Sequence, residues 1–297
     1  MTRTRPPHPA LRPFVAQLWA SDGAALPAFA APRLEHALPT GCAHLVFRLG
    51  ATPLRIAGAA DAHWQALDWA MLGGPRSRYY RRELAAPSAS VGALLRPGAT
   101  LALFGVPAAE FAECHAPLDA LWGADTERLR ARLVETAAAD ARLALLESAL
   151  LARLPRVRGV HPGVAALLDS TQTDDPVAEA VRQSGLSHRH FIRTFRAAAG
   201  LAPKTWLRLQ RFRRALDALH AGALPLAALA QRSGYSDQAH FCREFAEFAG
   251  MTPSAYRARA PLAASHVPMG VAGSVSCKTA GSRAPTMRAF PDEGATP

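Results

Sequence analysis

The chain has 297 residues, 49% of them hydrophobic, enough for one large or two ordinary domains with real cores, which excludes a chain disordered throughout. It holds no run of 18 apolar residues and its N-terminus lacks the apolar core of a signal peptide, so neither membrane insertion nor secretion is expected and a cytoplasmic location follows. The net charge of +11 is uneven: residues 156–260 hold 15 Lys and Arg against 8 Asp and Glu, a balance that suits a polyanionic partner as well as it suits biased base usage.

Residues 1–122 read as β-rich. PRLEHALPTGCAHLVFRLG and ASVGALLRPGATLALFGV carry short apolar runs, among them Leu45, Val46 and Phe47, separated by Gly and Pro. Many short strands at that spacing predict a barrel or sandwich. From Ala124 to Leu154 the texture turns to Ala, Leu, Arg and Glu, and Leu143, Leu146, Leu150 and Leu154 recur at helical spacing. Residues 123–155 are therefore a helical linker segment, whose apolar stripe fits its own domain and a dimer contact equally. PRVRGVHPG, 155–163, is a hinge. Residues 160–259 carry helical signals alone, and 261–297, rich in Gly, Ser and Pro without periodicity, are expected to be a disordered tail.

The helical part contains a duplication. SGLSHRHFIRTFRAAAGLAPKTWLR begins at Ser184 and SGYSDQAHFCREFAEFAGMTPSAYR at Ser233. Phe191/Phe241, Arg193/Arg243, Phe195/Phe245, Gly200/Gly250 and Pro203/Pro253 lie 50 residues apart, whereas Ser184/Ser233, Gly185/Gly234 and Ser187/Ser236 lie 49 apart. The second copy thus carries one extra residue near the start of its longer helix. Each copy reads as a short helix opened by proline (Pro176, Pro225), a glycine turn, a second helix capped by Ser187 or Ser236, and a glycine C-cap. That is helix, turn, helix. In each second helix the phenylalanines form a core face, with Arg189, Arg193 and Arg196, or His240, Arg243 and Glu247, opposite. Pro203–Gly222 joins the copies as one long helix. It has Trp206, Leu209, Leu216 and Leu219 to bury and Arg208, Arg211 and Arg214 near an exposed face. A basic helix presented by a short turn fits the DNA major groove, and two on a rigid connector fit successive grooves of one DNA face.

GYSDQAHFCREFAEFAGMTPSAYR closely resembles the signature segment of the AraC/XylS family of bacterial transcription regulators, and the resemblance spans residues 160–259. It implies an α+β chain: an N-terminal β-rich, cupin-like barrel with a helical segment, then an all-α domain of two helix-turn-helix units joined by a long helix. The N-terminal domain, residues 1–122, is similar to the sensory domains of a subset of these regulators through PTGCAHLVFRLG, GPRSRYY and LLRPGATLALFGVPAAEF. Carried over residue by residue, the resemblance implies DNA contact by Ser187, His188, Arg189, Ile192 and Arg193, and by Ser236, Gln238, Ala239, His240 and Arg243. Ile192 and Ala239 are apolar and suit at most a thymine methyl. Val181 stands where the second unit has Ala230, a place at which the family favours a small residue, so the first unit should pack less tightly.

The implied partners are double-stranded DNA, RNA polymerase, a small-molecule effector and a second copy of the chain, with an activator role and no membrane. No catalysis, cofactor or metal is expected. His36, His44, His63 and His115 are scattered rather than set at ligand spacing. Arg76, Arg78, Tyr79 and Tyr80 suit an anion or aromatic pocket, or simply a turn. The four cysteines, Cys42, Cys114, Cys242 and Cys277, form no C-x-x-C pair and read as reduced thiols. The alternatives are a sequence-tolerant DNA binder without an effector and a cupin-type enzyme fused to a DNA-binding domain.

Overall fold

The computed structural model describes residues 2–23, 33–61, 63–84, 88–154, 159–169, 176–222 and 224–271. Among the described residues eleven strands form two antiparallel sheets: β1 Thr2–Arg5, β2 Val15–Ser21, β3 Arg33–Ala37, β4 His44–Arg48, β5 Leu54–Gly58, β6 Gln65–Leu67, β7 Ala70–Gly73, β8 Tyr80–Leu84, β9 Ser90–Leu95, β10 His115–Pro117 and, from beyond the helices, β11 His266–Val271. One sheet runs β1-β2-β9-β4-β7-β10 and the other β11-β3-β8-β5-β6. Stripped of β1, β10 and β11, the orders β2-β9-β4-β7 and β3-β8-β5-β6 are those of an eight-stranded jelly roll, the double-sheet architecture of cupins. The cupin-like expectation for this part is met.

The first sheet buries its outer face under helices. α1 Ala99–Phe104, α2 Asp119–Trp122, α3 Asp125–Glu135 and α4 Ala139–Leu151 cover it. Leu143, Leu146 and Leu150 of α4 are fully buried in one core with Leu18, Leu45, Phe47, Leu72, Val91 and Leu95. At about 1.5–3 kcal/mol for each such leucine, this face is too apolar to be left to solvent. The leucine stripe therefore belongs to the N-terminal core, against which α3 and α4 pack.

The C-terminal helices are α5 Pro162–Asp169, α6 Pro176–Ser184, α7 His188–Ala199, α8 Pro203–Ala221, α9 Leu226–Arg232, α10 Gln238–Ala249 and α11 Pro253–Arg259. After α11 the chain returns, and β11 pairs with β3, placing His266 opposite Ala37 and Val267 opposite His36. This corrects the expectation of a disordered tail from 261, for residues 266–271 are an edge strand. HVPMGV does alternate, but Pro268 and Gly270 mask the pattern. Proline is tolerated there because the strand lies at the sheet edge, and the register shifts between Pro268 and Gly270. The rest of the tail, with Cys277, and residues 155–158 of the expected hinge lie outside the described residues.

Val267 and Leu38 sit in the same core as Leu209, Phe212, Phe241, Phe245, Phe248 and Tyr256, so sheet and second helix-turn-helix unit share buried side chains. Hydrogen bonds cross the boundary too. Gly98 N–H donates to Ala198 O at 2.8 Å, Tyr79 N–H to Phe248 O at 3.0 Å, and Arg213 Nη1 to Thr40 O at 3.1 Å. His36, stacked on Tyr79 with ring centroids 4.2 Å apart, sets Nδ1 3.1 Å from Ala249 O.

Candidate nucleic-acid interface

The first unit is α6, a turn at Gly185 and α7. Gly185 has φ +68°, a left-handed conformation that costs other residues strain and glycine none. Ser184 Oγ holds the turn, donating to Val181 O at 2.7 Å and accepting from Leu186 N–H at 3.1 Å. Ser187 then caps α7, its side chain accepting from His190 N–H. Phe191 and Phe195 are fully buried with Val164, Leu167, Val177 and Ala180. The opposite face carries His188, Arg189, Arg193 and Arg196, all exposed, and no acidic residue. Ile192 is half-buried against the unit's own core, which limits it to a shallow contact with anything outside. Val181 is half-buried as well, whereas its counterpart Ala230 is 1% exposed.

The second unit is α9, a turn at Gly234 (φ +82°) and α10. Pro225 is the residue before α9 rather than its first. The cap of α10 is Asp237, accepting from His240 N–H at 2.7 Å, where Ser236 was expected. Ser187 and Asp237 are 50 residues apart, so the extra residue of the second copy lies in the turn, before the cap. The His240 N–H bond also lowers the Asp237 carboxyl pKa, keeping a negative charge at the helix N-terminus, where the helix dipole favours it. Ser236 is exposed and bonds the His240 ring, its Oγ 3.0 Å from Nδ1. Gln238, Ala239 and Arg243 are exposed, and His240 is half-buried. The structure thus exposes the expected contact residues on one face of each helix, with Ile192 and His240 partly withdrawn.

Two of the three connector arginines are not on an open face. Glu244 of α10 is 4% exposed and accepts from Arg208 Nε at 2.8 Å, from Arg211 Nε at 3.1 Å and from Arg211 Nη2 at 2.9 Å. Arg208 Nη2 also reaches Glu247 at 2.5 Å. A buried carboxylate needs such partners, and the network ties α10 to the connector. Arg214 alone of the three is exposed. Sequence periodicity placed the arginines on a surface stripe but could not show that a glutamate 33 residues on would turn inward to meet them.

The two exposed faces differ in charge. α7 presents three arginines unopposed along its own length, whereas α10 presents Arg243 beside Asp237 and Glu247. Phosphate attraction therefore favours the first unit. Among the described residues no group of three or more His, Cys, Asp or Glu is placed to hold a metal ion, and no helix is long and apolar enough to cross a membrane.

Residues 167–259 match the family model of a helix-turn-helix domain, and residues 3–117 match one described as a domain of unknown function. An uncharacterized HTH-type transcriptional regulator of Haemophilus influenzae is 29% identical over 113 residues, 38% of this chain and 38% of that protein. The regulatory protein ada of Salmonella typhimurium is 31% identical over 93 residues, 31% of this chain and 26% of that protein. The chain thus spans well under half the length of these curated relatives. Among solved structures, apo ToxT from Vibrio cholerae is similar over 85% of this chain and 98% of its own, at 9% identity and a TM-score of 0.47.

Proposed function

We propose that this chain, whose residues 167–259 match a helix-turn-helix family model, is a sequence-specific DNA-binding transcription regulator of the AraC family, controlled by a small effector in its jelly roll. The observation that carries this reading is the paired geometry of α7 and α10. Each buries its phenylalanines and turns Arg193 or Arg243 outward, and both are held on α8, a single helix of 19 residues and so about 28 Å long. That length is close to the spacing of successive major grooves on one DNA face.

In this reading Arg189 and Arg193 take bases or phosphates in one groove, and Gln238, His240 and Arg243 do so in the next. Ser187, His188 and Ser236 lie at the helix starts, where phosphate contacts are made, while Ile192 and Ala239 offer apolar surface to a thymine methyl. Activation through RNA polymerase, a cytoplasmic setting and a homodimer belong to the same proposal. Binding measured on a selected site and on random DNA, across a salt series, tests the reading. A selected site bound at least a thousandfold tighter at physiological salt is expected. Equal affinity for both with a steep salt slope would instead make the chain a sequence-tolerant binder.

A further inference from the structure

Between the two sheets of the jelly roll a small apolar cluster of Ala37, Leu54, Ile56, Leu67, Met71 and Tyr80 lies beside a group of charged and imidazole side chains. Strand alternation sends His44, Val46 and Arg48 of β4 inward, and Ala37 and Glu35 of β3, Tyr80 and Arg82 of β8 and His266 of β11 face them. Arg82 Nη1 lies 2.9 Å from His266 Nδ1 and 4.0 Å from Glu35. Arg76 Nη2 lies 3.0 Å from His115 Nδ1, with its guanidinium over the Tyr80 ring. The rings of His44 and His115 are 5.8 Å apart. Arg48 is 8% exposed.

Charge and hydrogen bonding are both out of balance here. Three guanidiniums meet one carboxylate, Glu35, and the imidazoles add no negative charge. Arg48 Nη1, Arg76 Nε and Arg82 Nε are buried without a hydrogen-bond partner. A buried cation lacking its counter-charge is costly, and donors aimed at no acceptor add to that cost. The interior is not sealed, for the side chains of Arg82, Glu35 and His266 keep 22, 21 and 42% of their surface accessible. Burial, and the charges of Arg82 and Arg76, hold His44 neutral with a pKa of about 4. An uncharged imidazole there offers a hydrogen bond without adding to the repulsion.

We propose that the space between the sheets is an oxyanion site, in which Arg48, Arg76 and Arg82, with His44, His115 and His266, hold the carboxylate or phosphate of a small molecule. The proposal rests on the effector-controlled reading above and names the effector's chemical class. The second sheet also gives the site a route to the DNA-binding half. Glu35 points inward beside Arg82, while its neighbour His36 points outward to Ala249 O at the end of α10. His266 points inward, and its neighbour Val267 is buried in the core of the second helix-turn-helix unit. An anion that draws on Arg82 thus pulls on two strands that touch the end of a reading helix.

Thermal melting of the full chain in inorganic phosphate, in propionate and in uncharged propanamide, at constant ionic strength, tests the site. Phosphate or propionate should raise the Tm saturably by several degrees while propanamide does not, and the larger shift identifies a phosphorylated or a carboxylate effector. Arg82→Met should weaken the apparent affinity at least tenfold, and Arg193→Ala should leave it unchanged. If Arg82→Met does not fold, Arg48→Met serves in its place. No shift with either anion, or a shift that survives in both methionine variants, would overturn the proposal. Selective DNA binding, measured on the unsubstituted chain, separates the two readings. Selective binding without an anion response defeats the oxyanion site alone, and an anion response without selective binding defeats the regulator.

Discussion

Tyr79 donates its backbone N–H to the carbonyl of Phe248 at 3.0 Å, joining the jelly roll to the last turn of α10. Gly98 does the same to Ala198 of α7 at 2.8 Å. Ala198 and Phe248 are 50 residues apart and so occupy one position of the duplication. The N-terminal domain therefore holds α7 and α10 at equivalent carbonyls, which a free helix end would leave to water.

The glycines that follow are packed against the same domain. A Cβ on Gly250 would lie 2.3 Å from the Tyr79 ring, and one on Gly200 would lie 2.3 Å from Pro75 Cγ, whereas one on Gly185 would meet nothing within 4 Å. All three have positive φ, so alanine costs each about 1–2 kcal/mol of backbone strain. Gly250→Ala should cost roughly 1–3 kcal/mol more than Gly185→Ala because it also overpacks the boundary. Urea unfolding of the two variants checks this, and equal losses would mean that the Tyr79 contact is not maintained in solution.

Glu244→Gln should destabilise the chain by about 2–4 kcal/mol, since it leaves Arg208 and Arg211 without their shared carboxylate, and both guanidiniums keep enough solvent to hold the loss below the upper end for buried pairs. The same change in an Arg211→Met background should cost at least about 1 kcal/mol less, because the two side chains act as one network. Additive losses would show that the network contributes nothing beyond its separate packing.

The imidazoles between the sheets predict a pH dependence. Burial, with the neighbouring charges, lowers His44 to about 4 and His115 to about 2 from the usual 6.5. The unfolded chain therefore takes up protons that the folded chain does not, from pH 6.5 down to the folded values. Stability is full above pH 6.5 and falls on acidification through that window. Between pH 7 and pH 5 the loss should be on the order of 2–4 kcal/mol for the pair, read from urea midpoints. His44→Leu should shrink it. A flat profile would mean that these rings are protonated and solvated in the folded state.

Much of the C-terminal domain was legible from residue order alone. Phe191, Phe195, Phe241 and Phe245 repeat at helical spacing and are all buried, and Gly200 and Gly250 end their helices in the left-handed region. What escaped needed the third dimension. Asp237 was legible in principle from its 50-residue offset to Ser187, but a serine one place earlier matched the motif equally well. Arg208 and Arg211 read as surface because periodicity assigns a face and not the neighbour that covers it. Arg48, Arg82 and His266 lie far apart in the chain and meet only because the jelly-roll order sets β4 against β8 and brings β11 back beside β3. Tyr79 and Tyr80 are adjacent residues on opposite faces of a sheet, one toward α10 and the other toward His115. A single pocket drawn from GPRSRYY could not have held both.

The most direct test of the account is selection of bound sequences from a random DNA pool by the full chain and by its Arg193→Ala and Arg243→Ala variants. The account predicts a motif of two short blocks about 10–10.5 base pairs apart. Each variant should relax one block, not the same one, at a cost of about 1–3 kcal/mol on the intact site. A pool that yields no motif, or two variants that degrade the same block, would contradict the assignment of α7 and α10 as paired reading helices.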